Sequence, residues 1–263
     1  MTIYLKRIIC LALSVLSVLL LTSIPGKAAD TDYSIDFTQS REGDKLPEGW
    51  SVYKGSVSMK NGYLEMEKGT ILCLPENMTN SNFTYEADFT ITNADNSSRW
   101  FSLMYRLGGS GPDPAPYMNM CIRQDATAGN GVEVAYRTSD YDWNVVKTAS
   151  YDSFIDGSKI YTAQAIVNGN KVMESINSKP VILYDSVTSG ESGKFALQTD
   201  GCKARVYGLR LKETQPLPDT IPSQADKIKE VYEPNTGIVA PPTVVLQMDE
   251  QADTARLSGN KPP

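Results

Sequence analysis

The chain has 263 residues, with 25 Lys and Arg against 31 Asp and Glu, a net charge of −6. That balance argues against a general nucleic-acid binder, which would carry a basic stripe or patch. Histidine is absent altogether, which excludes Ser-His-Asp and Cys-His nucleophile systems and His-ligated zinc hydrolases, and leaves carboxylate-only catalysis or catalysis by Lys, Tyr or Arg.

The first 28 residues read as a signal peptide. Lys6 and Arg7 precede an apolar run from Ile8 to Leu21, and Gly26-Lys27-Ala28 offers small residues for cleavage after Ala28. The run is shorter than the roughly 20 residues of a membrane-spanning helix, so no stable span is expected after cleavage. The sequence therefore predicts a secreted or cell-surface protein. Cys10 leaves with the signal, and Cys73, Cys121 and Cys202 remain, all in apolar or strand-like surroundings that suit small buried hydrophobes.

From residue 30 to 213 the chain reads as a succession of short strands. Phe83 to Thr92 alternates apolar and polar residues, the period of a half-buried strand. Asn61-Gly62 between 57–60 and 63–66 predicts a hairpin, and Asn168-Gly169-Asn170 predicts another between 161–167 and 171–176. Further strands are expected at 70–74, 100–106, 117–123, 132–137, 145–150, 180–184, 193–198 and 203–212. No amphipathic helix interrupts them. Regular short strands without helices predict an all-β fold, an antiparallel two-sheet sandwich or jelly roll. Residues 214–222, with Pro216, Pro218 and Pro222, form a stiff linker. Residues 223–263 are a short irregular tail with one strand-like segment at 241–248. A lone strand is no independent fold, so the tail is expected to begin a further domain that is cut short.

Two stretches carry a family resemblance. Gly193-Lys194-Phe195-Ala196-Leu197-Gln198 followed by Ala204 to Leu211 resembles the closing strands of concanavalin A-like (laminin G-like) jelly rolls, where the last strand packs beside the first. Ile35-Asp36-Phe37 and Leu46-Pro47-Glu48-Gly49-Trp50 are similar to the opening of that fold. The resemblance implies the jelly roll over about 33–213 but not one function, because lectins, glycoside hydrolases and adhesion modules share it. In the tail, Val231-Tyr232-Glu233-Pro234 and Pro241 to Val245 resemble the spacer ahead of the barrel in exported bacterial glycerophosphodiester phosphodiesterases. Glycoside hydrolases of the jelly-roll family carry a Glu-x-Asp-x-x-Glu strand. Glu86 and Asp88 match its first two positions, but Ile91 stands where the third carboxylate belongs.

The face of the central strands opposite the core is the candidate binding surface. If Phe101, Leu103 and Tyr105 point inward, Trp100, Ser102, Met104 and Arg106 point outward. With Met118, Met120 and Ile122 inward, Tyr117, Asn119, Cys121 and Arg123 face the other way. Glu133 and Arg137 follow from the next strand, and Tyr141 and Trp143 from the loop after it. Should these strands be neighbours, one surface carries Trp100, Arg106, Tyr117, Asn119, Arg123, Glu133, Arg137 and Trp143. Aromatic rings stack on sugar C–H faces, and Arg, Asn and Glu hydrogen-bond hydroxyls or pair with anions. Ordinary cross-strand pairs on an outer sheet face describe the same residues.

The expected function is an exported, non-catalytic module that binds a glycan or anionic cell-surface polymer and targets a larger enzyme. The alternatives are the front portion of a phosphodiesterase, a glycoside-hydrolase-like enzyme, or an adhesion module. No catalytic residue and no cofactor is expected. Calcium is the one metal that loop residues Asn93, Asp95, Asn96, Asp113, Asp140 and Asp142 could take, although turn chemistry also accounts for them.

Overall fold

A computed structural model describes residues 32–109, 114–140, 142–187 and 192–221. The expected signal peptide and the tail with its phosphodiesterase-like segment lie outside the described residues. Fifteen strands follow one another without a helix among the described residues. They are β1 (Tyr33–Asp36), β2 (Ser51–Lys54), β3 (Val57–Lys60), β4 (Tyr63–Met66), β5 (Ile71–Cys73), β6 (Phe83–Thr92), β7 (Trp100–Leu107) and β8 (Tyr117–Arg123). The chain continues through β9 (Val132–Arg137), β10 (Trp143–Ala149), β11 (Tyr161–Asn168), β12 (Lys171–Ile176), β13 (Lys179–Tyr184), β14 (Lys194–Asp200) and β15 (Lys203–Glu213).

The strands make two antiparallel sheets. One has the order β13-β12-β11-β6-β15-β4-β3, with β1 also paired to β15. The other runs β10-β9-β8-β7-β14-β5-β2. The last strand does lie beside the first: Tyr33 to Asp36 pair with Leu211 to Gly208, while β4 takes Ala204 to Val206 farther along β15. A register shift between Val206 and Gly208 separates the two partners. Both hairpins form where the asparagine-glycine turns place them. Gly62 (φ +89°) and Gly169 (φ +62°) adopt the left-handed backbone such turns need and side chains resist.

Alternation decides the core. Phe83, Tyr85, Ala87, Phe89 and Ile91 of β6 are fully buried and meet Phe101, Leu103, Tyr105, Phe195 and Leu197 from the opposite sheet. Phe89 stacks on Phe101 with centroids 4.4 Å apart, and Phe195 meets Phe83 edge-on at 4.8 Å. Each buried phenyl contributes roughly 1.5–3 kcal/mol by leaving water. This double row needs no covalent staple, and Cys73, Cys121 and Cys202 are free thiols. Cys121 and Cys202 are fully buried, and Cys73 partly so.

Two strand expectations need correction. β2 has no expected counterpart, because three of its four residues are exposed and no alternation marks it. β10 begins at Trp143, not at 145, so Trp143 is a strand residue paired with Arg137 and not part of the loop.

Candidate functional site

The strands β7, β8 and β9 are neighbours, so the outward residues do share one surface. Trp100 pairs with Arg123, Met104 with Asn119, Cys121 with Glu133, and Tyr117 with Arg137. The surface does not stay open. Met104, Tyr117, Leu107, Ala196 and Ile71 form a second apolar cluster on the outer face of this sheet, with Trp143, Tyr53 and Cys73 packed against it. Trp100 on β7 and Trp143 on β10 are separated by two strands, β8 and β9, in sheet order, yet their rings stack with centroids 5.8 Å apart and planes 23° apart. The stack thus reaches across the outer faces of β8 and β9.

Beside it lies a cavity of about 370 Å³ lined by Trp100, Tyr117, Arg137 and Trp143, together with Tyr53, Lys54, Ile71, Pro114, Gln198 and Asp200. Four expected residues therefore converge. Both indoles are half-buried. Each spends one ring face on the other, which fixes their orientation, and both rings line the cavity. Lys54 is exposed at the rim. Asp200 accepts from Arg99 Nη1 at 3.1 Å, so its charge is offset.

The other four expected residues have different places. Arg106 is the extra residue of a β-bulge, since Tyr105 and Leu107 pair with consecutive residues of β14. At φ +54° its side chain turns off the face, and Nη2 donates to Ser81 O at 2.9 Å and Gly169 O at 2.6 Å in loops of the opposite sheet. Leu107 takes the outward position that Arg106 would have held. Asn119 is fully buried, within 3.5 Å of Ser102 Oγ and Gln198 Oε1. It forms the floor, out of reach of solvent.

Arg123 and Glu133 satisfy each other. Arg123 Nη2 donates to Glu133 Oε1 at 2.7 Å, Nη1 to Ser98 O and Nε to Asn130 O. The Glu133 side chain is only 5% exposed. A nearly buried carboxylate with one guanidinium partner is a structural element, and a hydrogen bond to a charged group contributes about 1.5–3 kcal/mol. Glu133→Gln is accordingly expected to lower stability by about 2 kcal/mol in urea titrations.

The strand with the partial hydrolase motif faces away from this cavity. Glu86 and Asp88 lie on the outer face of the other sheet. Arg210 donates to both at 2.7 Å, with Gln164 on Glu86 and Thr162 on Asp88. Burial raises both carboxyls, but these hydrogen bonds and the neighbouring cations outweigh it and hold them below the usual range. Neither keeps a proton to give a leaving group. Among the calcium candidates, Asp95 pairs with Lys68 and Asn96 Oδ1 caps Ser98 N in its own turn. Asp113 lies outside the described residues, as does Tyr141. No cluster of three His, Cys, Asp or Glu residues able to hold a metal occurs among the described residues.

Sequence reasoning did not find Tyr53, Lys54, Ile71, Gln198 or Asp200. Gln198 and Asp200 had a usable signal, because Phe195, Leu197 and Thr199 pointing inward put them outward with Ala196. What was missing was the pairing of β14 with β7, which brings together residues about a hundred positions apart.

No protein-family model matches the chain, and no curated protein matches it. Among solved structures it is similar to the carbohydrate binding module CBM66 from Bacillus subtilis, at 21% identity over 63% of this chain and 96% of that one, with a TM-score of 0.52. A mutant form of the Emp46p carbohydrate recognition domain shows 14% identity over 70% of this chain and 97% of its own, with a TM-score of 0.50. At these identities the likeness speaks for fold alone. Taken with the two antiparallel sheets and the β1–β15 closure, it identifies a concanavalin A-like jelly-roll sandwich.

Proposed function

We propose that the chain is a carbohydrate-binding module whose site is the cavity beside the Trp100–Trp143 stack. We also propose that it is exported through its apolar N-terminal segment, non-catalytic, and carried as the targeting domain of a larger cell-surface enzyme. The stack itself carries the binding reading. Two indoles held in fixed orientation beside a cavity of about 370 Å³ are preorganised anchors that lose little freedom on binding. Gln198, Lys54, Arg137 and the Tyr53 hydroxyl supply hydrogen bonds to a sugar's equatorial edge. The fold shared with the CBM66 module supports the same reading, and the ion-paired state of Glu86 and Asp88 supports the non-catalytic part.

Charge refines the ligand. Lys54 is exposed on the rim of the cavity, while the Asp200 carboxylate is paired with Arg99, so the rim presents a cationic patch in a chain of net charge −6. Such a patch steers and retains an anionic sugar or polymer. Titration calorimetry with galacturonate oligosaccharides and neutral gluco-oligosaccharides tests this. Lys54→Gln is expected to weaken galacturonate binding about fivefold to tenfold at low salt and to matter less at high salt. Equal losses for both sugars would show that the lysine does not select for charge. Failure of every sugar to bind would overturn the module itself.

A further inference from the structure

The cavity beside the tryptophans adjoins a second one. Its volume is about 300 Å³, and its walls include Ser51, Cys73, Leu74, Leu107, Lys194 and Phe195. Tyr53 and Pro114 line both cavities, so the two share a wall and are not isolated hollows. β14 connects them lengthwise: Lys194 lies in the second cavity, and Gln198 and Asp200 lie in the first. The span from Lys194 to Asp200 is about 20 Å at the rise of an extended strand. Between its ends the floor is mixed, apolar at Ala196, Met104, Leu107 and Ile71 and polar at Gln198 and the buried Asn119. Charged groups sit at the two ends, Lys194 with Glu76 at one and Asp200 with Arg99 at the other.

From this geometry we infer that the second cavity is a further sugar subsite, and that the module takes an internal stretch of a linear oligosaccharide along β14. The inference rests on the carbohydrate-binding reading above. Each cavity lies at the lower end of the roughly 300–1,000 Å³ range of small-ligand sites, enough for a short unit but not for a chain. A trough with apolar stretches, polar groups between them and charged ends matches a sugar chain, whose rings present both C–H faces and hydroxyls. The single-site alternative leaves the second cavity, with Leu107 and Lys194 on its walls, without a part in recognition.

Cys73 provides the test. It lines the second cavity and is only partly buried, whereas Cys121 and Cys202 are fully buried, so in a Cys10→Ser background it is the thiol that a bulky maleimide reaches. Burial raises the Cys73 thiol above its ordinary value, and labelling is therefore run above neutral pH. Calorimetry with galacturonate and gluco-oligosaccharides, from single sugars to hexasaccharides, is performed on labelled and unlabelled chain.

The expected result is an affinity that rises about tenfold or more from single sugars to tetrasaccharides. Labelling should remove that increment, leave single-sugar affinity unchanged, and be blocked by saturating hexasaccharide. Ser51→Tyr narrows the same cavity from an exposed position and should reproduce the loss if the label perturbs folding. Equal affinity for short and long sugars, or an increment untouched by both modifications, would overturn the subsite and leave the tryptophan site standing. Absence of binding by any sugar would overturn both.

Discussion

Trp143→Ala is expected to lower glycan affinity by roughly thirtyfold or more, and Trp100→Ala by about the same amount. A well-packed aromatic anchor contributes about 2 kcal/mol or more to binding, and each 1.4 kcal/mol is a factor of ten. The two rings act as one element, because each fixes the other through the 5.8 Å stack. The double variant should therefore lose little beyond either single one, which is the signature of direct coupling in a double-mutant cycle. Trp143 also packs on the Met104–Leu107–Tyr117 cluster, so a melting curve must accompany each titration. Trp100→Phe keeps an aromatic face and should retain part of the affinity. Additive losses in the double variant would show that the stack is incidental to recognition.

Glu174→Met is expected to stabilise the protein at pH 8 by about 1–3 kcal/mol, with a much smaller gain at pH 4. Glu174 lies in the middle of β12 between Ala165 on β11 and Ile182 on β13, and it faces the core with Val172 and Ile176. It is fully buried, and neither carboxyl oxygen has a hydrogen-bond partner among the described residues. The Tyr105 hydroxyl across the sandwich is likewise buried without a partner. Burial first, and then the charge of Glu133, push the Glu174 carboxyl well above the ordinary value. Its effect on stability has a definite sign. Below the unfolded value of about 4.3 the group is protonated in both states and costs nothing extra in charge. As pH rises, the unfolded chain releases this proton and the folded one retains it, so the contribution to stability falls until the folded value is passed. Methionine has similar length and no charge, and replacing buried charged groups by packed apolar residues of similar volume is often neutral or gains about 1–4 kcal/mol. Urea titrations of both proteins at the two pH values measure the difference. A gain of the same size at pH 4 and pH 8 would show that folding does not raise this carboxyl above its unfolded value.

The parts of the fold legible in the sequence were those encoded by neighbouring residues. Asn61-Gly62 and Asn168-Gly169 specify their turns locally, and the alternation of Phe83 to Thr92 specifies which face of β6 is buried. The resemblance in Gly193 to Leu211 supplied the closure of the last strand on the first. Alternation likewise placed Trp100, Tyr117 and Arg137 on one face of the sheet. Three kinds of information were not local. The order of strands around β14 depends on pairings between distant segments, so Tyr53, Ile71, Gln198 and Asp200 stayed unassigned. The bulge at Arg106 inserts one residue and reverses the parity after Tyr105, a change no alternation rule anticipates. The mutual satisfaction of Arg123 and Glu133 depends on side-chain rotamers, and it converts two apparent recognition groups into a structural pair.

The proposed function rests on recognition of carbohydrate through the face roofed by Trp100 and Trp143. It is tested most directly by a glycan array, spanning neutral and acidic linear polysaccharides, probed with the intact chain and with Trp143→Ala side by side. Binding to a restricted set rich in acidic sugars is expected, lost in the variant while its melting curve remains cooperative. A folded wild-type chain that binds nothing on the array, or a variant that binds the same set equally well, would contradict it.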